Sequence, residues 1–179
     1  MEEELKEALR RECIGLLRAV GCDEGVIKHS TTVAELALEL VHDYHHTDSV
    51  DESLVFRGAL LHDLGRARSH GIDHGFVGGE IARELGLDER VVRIIQRHVG
   101  AGITAEEAEE LGLPPVDFMP ETWEEKVVAH ADNLIEGWKR TSIEAEISIL
   151  KKKLGESHPS IKRMIALHEE VTGQGVALE

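Results

Sequence analysis

The chain has 179 residues, about the size of one domain, so no separate substrate-binding domain is expected. Its 35 acidic against 20 basic residues leave a formal charge of −15, which repels a phosphate backbone, and only three Phe, two Trp and one Tyr are there to stack bases, so a nucleic-acid module is not expected. No apolar run approaches the roughly 20 residues that span a bilayer, and Met1 to Glu4 begin no signal peptide, so the protein is expected to be cytoplasmic with no membrane partner.

In chain order the sequence is a succession of period-3.6 apolar stripes with almost none of the alternation that marks strands, which predicts an all-α, single-domain helical bundle. A first amphipathic helix is expected over 2–20. Beyond the turn at Gly21, a second carries Val33, Leu36, Ala37, Leu40 and Val41, the i, i+3, i+4, i+7, i+8 series of one buried face. A third over 51–64 is expected to stop at Gly65, and a fourth over 74–85 at Gly86. Asp88 caps a fifth, whose stripe of Val91, Ile94, Ile95, His98 and Val99 is broken by Gly100 and Gly102. Thr104 with Glu107, and Thr122 with Glu125, match the S/T-x-x-E capping box. The first pair opens a short helix before Pro114, the second a longer one carrying Val127, Val128, Ala131, Leu134 and Ile135. Two last helices, over 143–154 and 159–171, read as a hairpin, with Pro159 suited to a first helical turn. Cys13 and Cys22 match no zinc or redox spacing and read as reduced structural thiols.

Eleven histidines ask whether the rings share a task, and several fall on apolar faces beside carboxylates. His29 stands four residues before Val33 and seven before Leu36; His62 and Asp63 interrupt the run Phe56, Ala59, Leu60, Leu61, Leu64; His98 is on the fifth helix's stripe; Asp132 is four past Val128. Burying a lone carboxylate is costly enough that a protein neutralises it or pairs it with a cation, and no Lys or Arg occupies these stripes. Taken singly, each residue reads as a satisfied core group. Four helices making the same choice point to a shared divalent cation, for which imidazole and carboxylate are preferred ligands.

The ordered series His29, then His62 and Asp63 within Leu-Leu-His-Asp-Leu-Gly-Arg, then Asp132 within Ala-His-Ala-Asp-Asn-Leu, resembles the HD superfamily of metal-dependent phosphohydrolases, from about Val26 to Gly137. On that resemblance residues 22–140 form the phosphohydrolase domain, with 1–21 a helix packed on it and 141–179 a helical hairpin of the same globule. His74 and His98 look like the extra histidines of two-metal subfamilies. The resemblance then implies that Asp63 bridges two ions, with His29, His62 and Asp132 completing one and His74 and His98 the other. Mn, Fe, Co, Ni and Zn all suit such donors. The implied activity is hydrolysis of a phosphate ester or phosphoanhydride of a small nucleotide-like substrate by metal-activated water, the arrangement being similar to stand-alone HD hydrolases and to the bacterial symmetrical diadenosine-tetraphosphate hydrolases. The Gly-Tyr-Pro signature of cyclic-dinucleotide phosphodiesterases is absent, which weakens that activity. Two other readings stay open: a one-metal mononucleotide phosphatase using His29, His62, Asp63 and Asp132, and a metal-bearing nucleotide sensor without turnover. Self-association into a homodimer is also left open.

With Asp63, Arg66 is the expected catalytic residue: it stands where the tetraphosphate hydrolases have lysine and is expected to grip substrate phosphate, apart from the metal ligands. His70 competes with His74, but only His74 precedes Gly78, Ala82 and Leu85 with the family's spacing. His42, His45 and His46 have spacings that suit surface zinc, yet fall at a helix end off the stripe and read as solvated. His130 reads as structural or as standing behind the ligands, His158 and His168 carry no signal, and Lys126 and Lys151 to Lys153 read as surface charges.

Overall fold

The computed structural model describes residues 1–43 and 50–177. Its helices are α1 (Glu3–Val20), α2 (Glu24–Asp43), α3 (Glu52–Leu61), α4 (His74–Glu84), α5 (Glu89–Arg97), α6 (Ala105–Glu110), α7 (Trp123–Asn133), α8 (Ile143–Leu154) and α9 (Pro159–Thr172). No helix among the described residues is long and apolar enough to cross a membrane. His45 and His46 lie outside the described residues.

The termini form where the sequence places caps. Gly21 takes φ 100°, and its N–H and that of Cys22 close α1 on the carbonyls of Arg18 and Leu17. Both capping boxes form, with Thr104 and Thr122 each accepting from the third helical N–H while Glu107 and Glu125 reach back. Glu125 goes further than its cap: although 2 % exposed, it also receives Arg97 of α5 at 2.9 Å and so ties α5 to α7.

Helix α3 is the axis of the bundle, packed by α1, α2, α5 and α7. Val55, Phe56, Ala59, Leu60 and Leu61 are fully buried, at roughly 1.5–3 kcal/mol for each large side chain. That burial is what holds polar groups at the end of α3 away from water. Helix α9 packs on α7 and α8, and a small satellite cluster of Ile103, Ala108 and Phe118 closes the loop before and after α6.

Two expected boundaries move. Helix α3 stops at Leu61, not Leu64: His62 is its C-cap, Asp63 leaves the helical geometry at φ −92°, ψ 18°, and Leu64–Ala67 form a 3₁₀ turn. Helix α7 ends at Asn133, and Ile135–Glu136 pair with Lys139–Arg140 in a two-stranded hairpin. In both places burial outlasts the helix. Leu64 and Ile135 stay in the core, so the apolar stripe runs on in the sequence after the backbone has changed its hydrogen bonding.

The 3₁₀ turn is pressed onto α4. A Cβ on Gly65 would stand 1.9 Å from the carbonyl oxygen of His74, and one on Gly78 would stand 2.9 Å from the amide of Gly65. Gly65, expected only to end a helix, and Gly78, noted only for its spacing after His74, thus let the turn carrying Asp63 meet the helix that begins at His74.

Candidate metal centre

The expected ligands arrive from separate elements and converge. His29 is in the second turn of α2, His62 and Asp63 follow α3, His74 is the first residue of α4, His98 caps α5 and Asp132 is in the last turn of α7. His62, His74 and His98 are 0 %, 5 % and 1 % exposed, and Asp63 is 7 % exposed. His29 and Asp132 are only partly covered and form the open side, rather than the fully buried stripe positions expected of them.

Each ring is oriented from behind. The Nδ1 of His62 lies 2.7 Å from the carbonyl oxygen of Ala59, that of His98 2.7 Å from Ile95, and that of His74 2.8 Å from Gly71, in every case three residues earlier. The last carbonyls of a helix have no intrahelical partner, so a histidine just past the end satisfies one. The Nδ1 of His29 lies 2.6 Å from the carbonyl oxygen of Gly137 in the hairpin turn. A carbonyl can only accept, so Nδ1 carries a proton in all four rings and Nε2 is the nitrogen turned inward.

Those nitrogens meet one another and the carboxylates. The Nε2 atoms of His29 and His62 are 3.2 Å apart, and those of His74 and His98 3.0 Å. Asp63 lies between the pairs: Oδ2 is 3.9 and 3.8 Å from the Nε2 of His29 and His62, and Oδ1 is 3.3 and 3.8 Å from those of His74 and His98. Asp132 Oδ1 is 2.9 Å from the Nε2 of His29 and 3.4 Å from that of His62. Acceptors facing acceptors at these distances repel unless positive charge lies among them.

The acid–base equilibria report the same field. Burial opposes charge on His62, but Asp132 and Asp63 outweigh it and push its pKa up to about 9. For His98, burial and then the His62 and His74 rings push the pKa down to about 3. Burial alone would raise Asp63 and Asp132, yet His62 chiefly holds both below the ordinary carboxylate range, Asp132 well below it. The centre therefore draws cationic charge to its middle. A divalent ion fits, since borderline metals take imidazole nitrogen and carboxylate oxygen together, with the rings fixed through their other nitrogen.

Among the described residues, two groups of three donor atoms lie within 4.8 Å of one another, His29 with His62 and Asp132, and His62 with Asp63 and His98. The first is the set implied for one ion. The second uses His62 beside His98, while His74 reaches the same place through its short approaches to His98 and Asp63. His74, and not the exposed His70, joins the cluster.

Arg66 differs from its expected role. Its Nε donates to Asp63 Oδ1 at 3.1 Å and its Nη1 to the carbonyl of His70 at 3.0 Å. A cation does therefore accompany the buried carboxylates, which the helical stripes had not shown because Arg66 sits in the 3₁₀ turn. It is not independent of the ligand set, yet it lines the cavity of about 350 Å³ at the open side, with Gly25, Val26, His29, Asp63, Asp132, Gly137 and Trp138. That volume is in the range of small-molecule sites. A cavity of about 390 Å³ between α6, α8 and α9 is lined by His158, Glu107 and Glu110, which form no three-donor group among the described residues, and its Arg163 is held by Glu107. Lys126 is paired with Glu170, and His42 is an exposed ring 3.8 Å from Glu52.

Gly137, Trp138 and Lys28 at the mouth carried no expectation. The signal was present: Gly137-Trp138 is the two-residue turn of the hairpin, with glycine at φ 61° in its first position.

Helical fold and histidine–carboxylate centre together define an all-α domain with a cluster of donors that could hold a metal. The HD-domain family profile matches residues 26–137, well over half of the chain, and the chain belongs to that family, the HD superfamily of metal-dependent phosphohydrolases. An uncharacterized protein of Methanocaldococcus jannaschii is 56 % identical over 151 residues, covering 84 % of this chain and 89 % of that protein. The tRNA (cytidine(56)-2'-O)-methyltransferase of Picrophilus torridus is 40 % identical over 90 % of this chain, which spans only 46 % of the enzyme's length. Ribonuclease Y of Pseudothermotoga lettingae is 30 % identical over 80 % of this chain and 26 % of its own. In fold, the HD domain of the Listeria monocytogenes phosphodiesterase PgpH, solved in complex with cyclic-di-AMP, superposes with a TM-score of 0.53 at 16 % identity, covering 92 % of this chain and all of that one.

Proposed function

We propose that the chain is a divalent-metal-dependent phosphohydrolase acting on a phosphate ester or phosphoanhydride of a small nucleotide-like substrate. The observation that carries this is Asp63, one oxygen turned to the His29–His62 pair and the other to the His74–His98 pair. Two ions, drawn from Mn, Fe, Co, Ni or Zn, suit this donor set, with Asp63 shared, His29, His62 and Asp132 on one side and His74 and His98 on the other. Such ions would lower the pKa of a water and neutralise charge gathering on phosphoryl oxygens.

The chain's own residues do the rest. The carbonyls of Ala59, Ile95, Gly71 and Gly137 hold the four rings in the tautomer that binds cations. Arg66, in the cavity wall, orients Asp63 through Nε and leaves Nη2 as a donor toward a substrate phosphate. A phosphodiester is among the bonds this site suits, since ribonuclease Y and PgpH are both named for cutting one. The mouth carries few cations, Lys28 and Arg66 foremost, and Arg140 is neutralised by Glu39, which favours a small substrate over a long polyanion.

Elemental analysis after reconstitution, run beside a panel of mononucleotides, dinucleoside polyphosphates and cyclic dinucleotides, tests this. We expect close to two ions per chain and phosphate release or phosphodiester cleavage on part of the panel. One ion per chain with mononucleotide turnover alone would favour the one-metal phosphatase. Metal and nucleotide binding without turnover of any member would favour the sensor.

A further inference from the structure

We infer that Trp138 is the platform on which the base of a nucleotide substrate stacks, which makes it a specificity-determining residue of the site proposed above and rests on that reading. Trp138 is 49 % exposed, whereas the other Phe and Trp side chains are drawn inward: Phe56 and Phe118 are buried, and Trp123 and Phe76 pack on buried clusters. The core makes no use of its ring. It lines the cavity that also contains His29, Asp63, Arg66 and Asp132.

The position is fixed. Trp138 forms the turn of the hairpin with Gly137, whose carbonyl holds His29 Nδ1 at 2.6 Å, so the residue that orients a ligand is bonded directly to the residue bearing the indole. On the far strand Arg140 binds Glu39 of α2, and Thr141 donates to Leu134 at 2.9 Å. Lys28 Nζ stands over the indole ring, 4.1 Å from its centroid. The lysine thus covers one face of a ring that also lines the cavity.

An indole held this way suits a flat aromatic group whose phosphate reaches toward Arg66 and the carboxylate–histidine centre. Every base has a π face, so stacking is tolerant of base identity. A sugar phosphate without a base offers nothing to that surface.

The two tryptophans make the test direct, because Trp123→Phe leaves Trp138 as the sole indole. In that background, reconstituted with metal, we would titrate two hydrolysis-resistant probes in which methylene replaces the ester oxygen: the 5′-phosphonate analogue of AMP and that of ribose 5-phosphate. The adenosine probe should quench Trp138 fluorescence saturably, and the ribose probe should compete for the site without quenching. Calorimetry on Trp138→Ala, against wild type, should show adenosine-probe affinity falling about 5- to 150-fold, with ribose-probe affinity and metal content unchanged, and Trp138→Phe should recover most of the loss. If Trp138→Ala leaves adenosine-probe affinity intact, or weakens both probes equally as Lys28→Ala does, the ring only steadies Lys28 and the inference is wrong while the phosphohydrolase reading stands. If neither probe binds the metal-loaded protein, the phosphate site fails and the inference with it.

Discussion

Two pairs of histidines in this molecule have nearly the same ring geometry and different chemistry. His74 and His98 stand edge to face with centroids 5.0 Å apart at 63°; His130 and His168 stand 5.0 Å apart at 65°. In the first pair each Nδ1 is held by a carbonyl, both Nε2 atoms face one another, and Asp63 stands beside them. In the second, His168 Nδ1 meets His130 Nε2 at 3.3 Å, an ordinary contact between ring nitrogens, and His130 Nδ1 has no hydrogen-bond partner among the described residues. Paired imidazoles alone therefore do not suit a cation. The anchored far nitrogen and the nearby carboxylate mark the pair that does, the one by fixing the tautomer and the other by supplying negative charge.

The largest expected effect breaks that contrast outright. Asp63→Ala should reduce hydrolysis to background and lower metal content together, whereas His130→Leu should leave both unchanged. Elemental analysis and turnover on the two purified variants check this; wild-type metal content in Asp63→Ala would remove the shared carboxylate from the account.

Arg66→Ala comes next. At saturating metal it should lose about tenfold to a thousandfold in kcat/KM, or about 1.4 to 4 kcal/mol of transition-state stabilisation. Because Arg66 donates to Asp63, metal affinity should also fall, by about 10- to 100-fold. Arg66→Lys should lie between, restoring charge without the planar fork. Unchanged kinetics and metal titration in Arg66→Ala would make the residue a solvated end of the turn.

A smaller change concerns the frame. Gly65→Ala would drive a methyl into the carbonyl of His74 and should cost about 1–3 kcal/mol in chemical denaturation, with weaker metal binding as His74 shifts from Asp63. Full stability would show that the 3₁₀ turn and α4 can part without penalty.

The smallest effect isolates the second histidine pair. Burial pushes the pKa of His130 down to about 3 from 6.5, so the unfolded chain takes up a proton near pH 6.5 that the folded chain refuses. Its contribution is complete above pH 6.5 and is lost as pH falls toward 3, at up to about 1.4 kcal/mol per pH unit. Urea midpoints measured between pH 7 and pH 5 should fall less steeply in His130→Leu than in wild type. Equal slopes would mean that His130 gains a proton in the folded state as well.

Much of this was legible in the sequence. The caps at Gly21, Asp88, Thr104 and Thr122 are local chemistry, readable because a cap and its helix lie within a few residues. The buried stripes gave the all-helical bundle, and His29, His62, Asp63, His98 and Asp132 were marked by polar groups standing where apolar ones were expected, while His74 was marked only by the resemblance to two-metal subfamilies. The ends of α3 and α7 were not legible, because burial of Leu64 and Ile135 continues the stripe after the helix has stopped.

Only the tertiary structure decided how those residues face one another. That Asp63 presents an oxygen to each histidine pair depends on the 3₁₀ turn, on Gly65 and Gly78 admitting α4, and on a carbonyl behind every ring. That Trp138 and Lys28 stand at the mouth depends on a hairpin bringing residue 137 to residue 29, and that Arg66 pairs with Asp63 depends on the 3₁₀ turn that replaces the expected end of α3. The physical reason is range. Caps and stripes act over a few residues of chain, while the orientation of a side chain in a shared cavity is set by contacts from elements up to a hundred residues away.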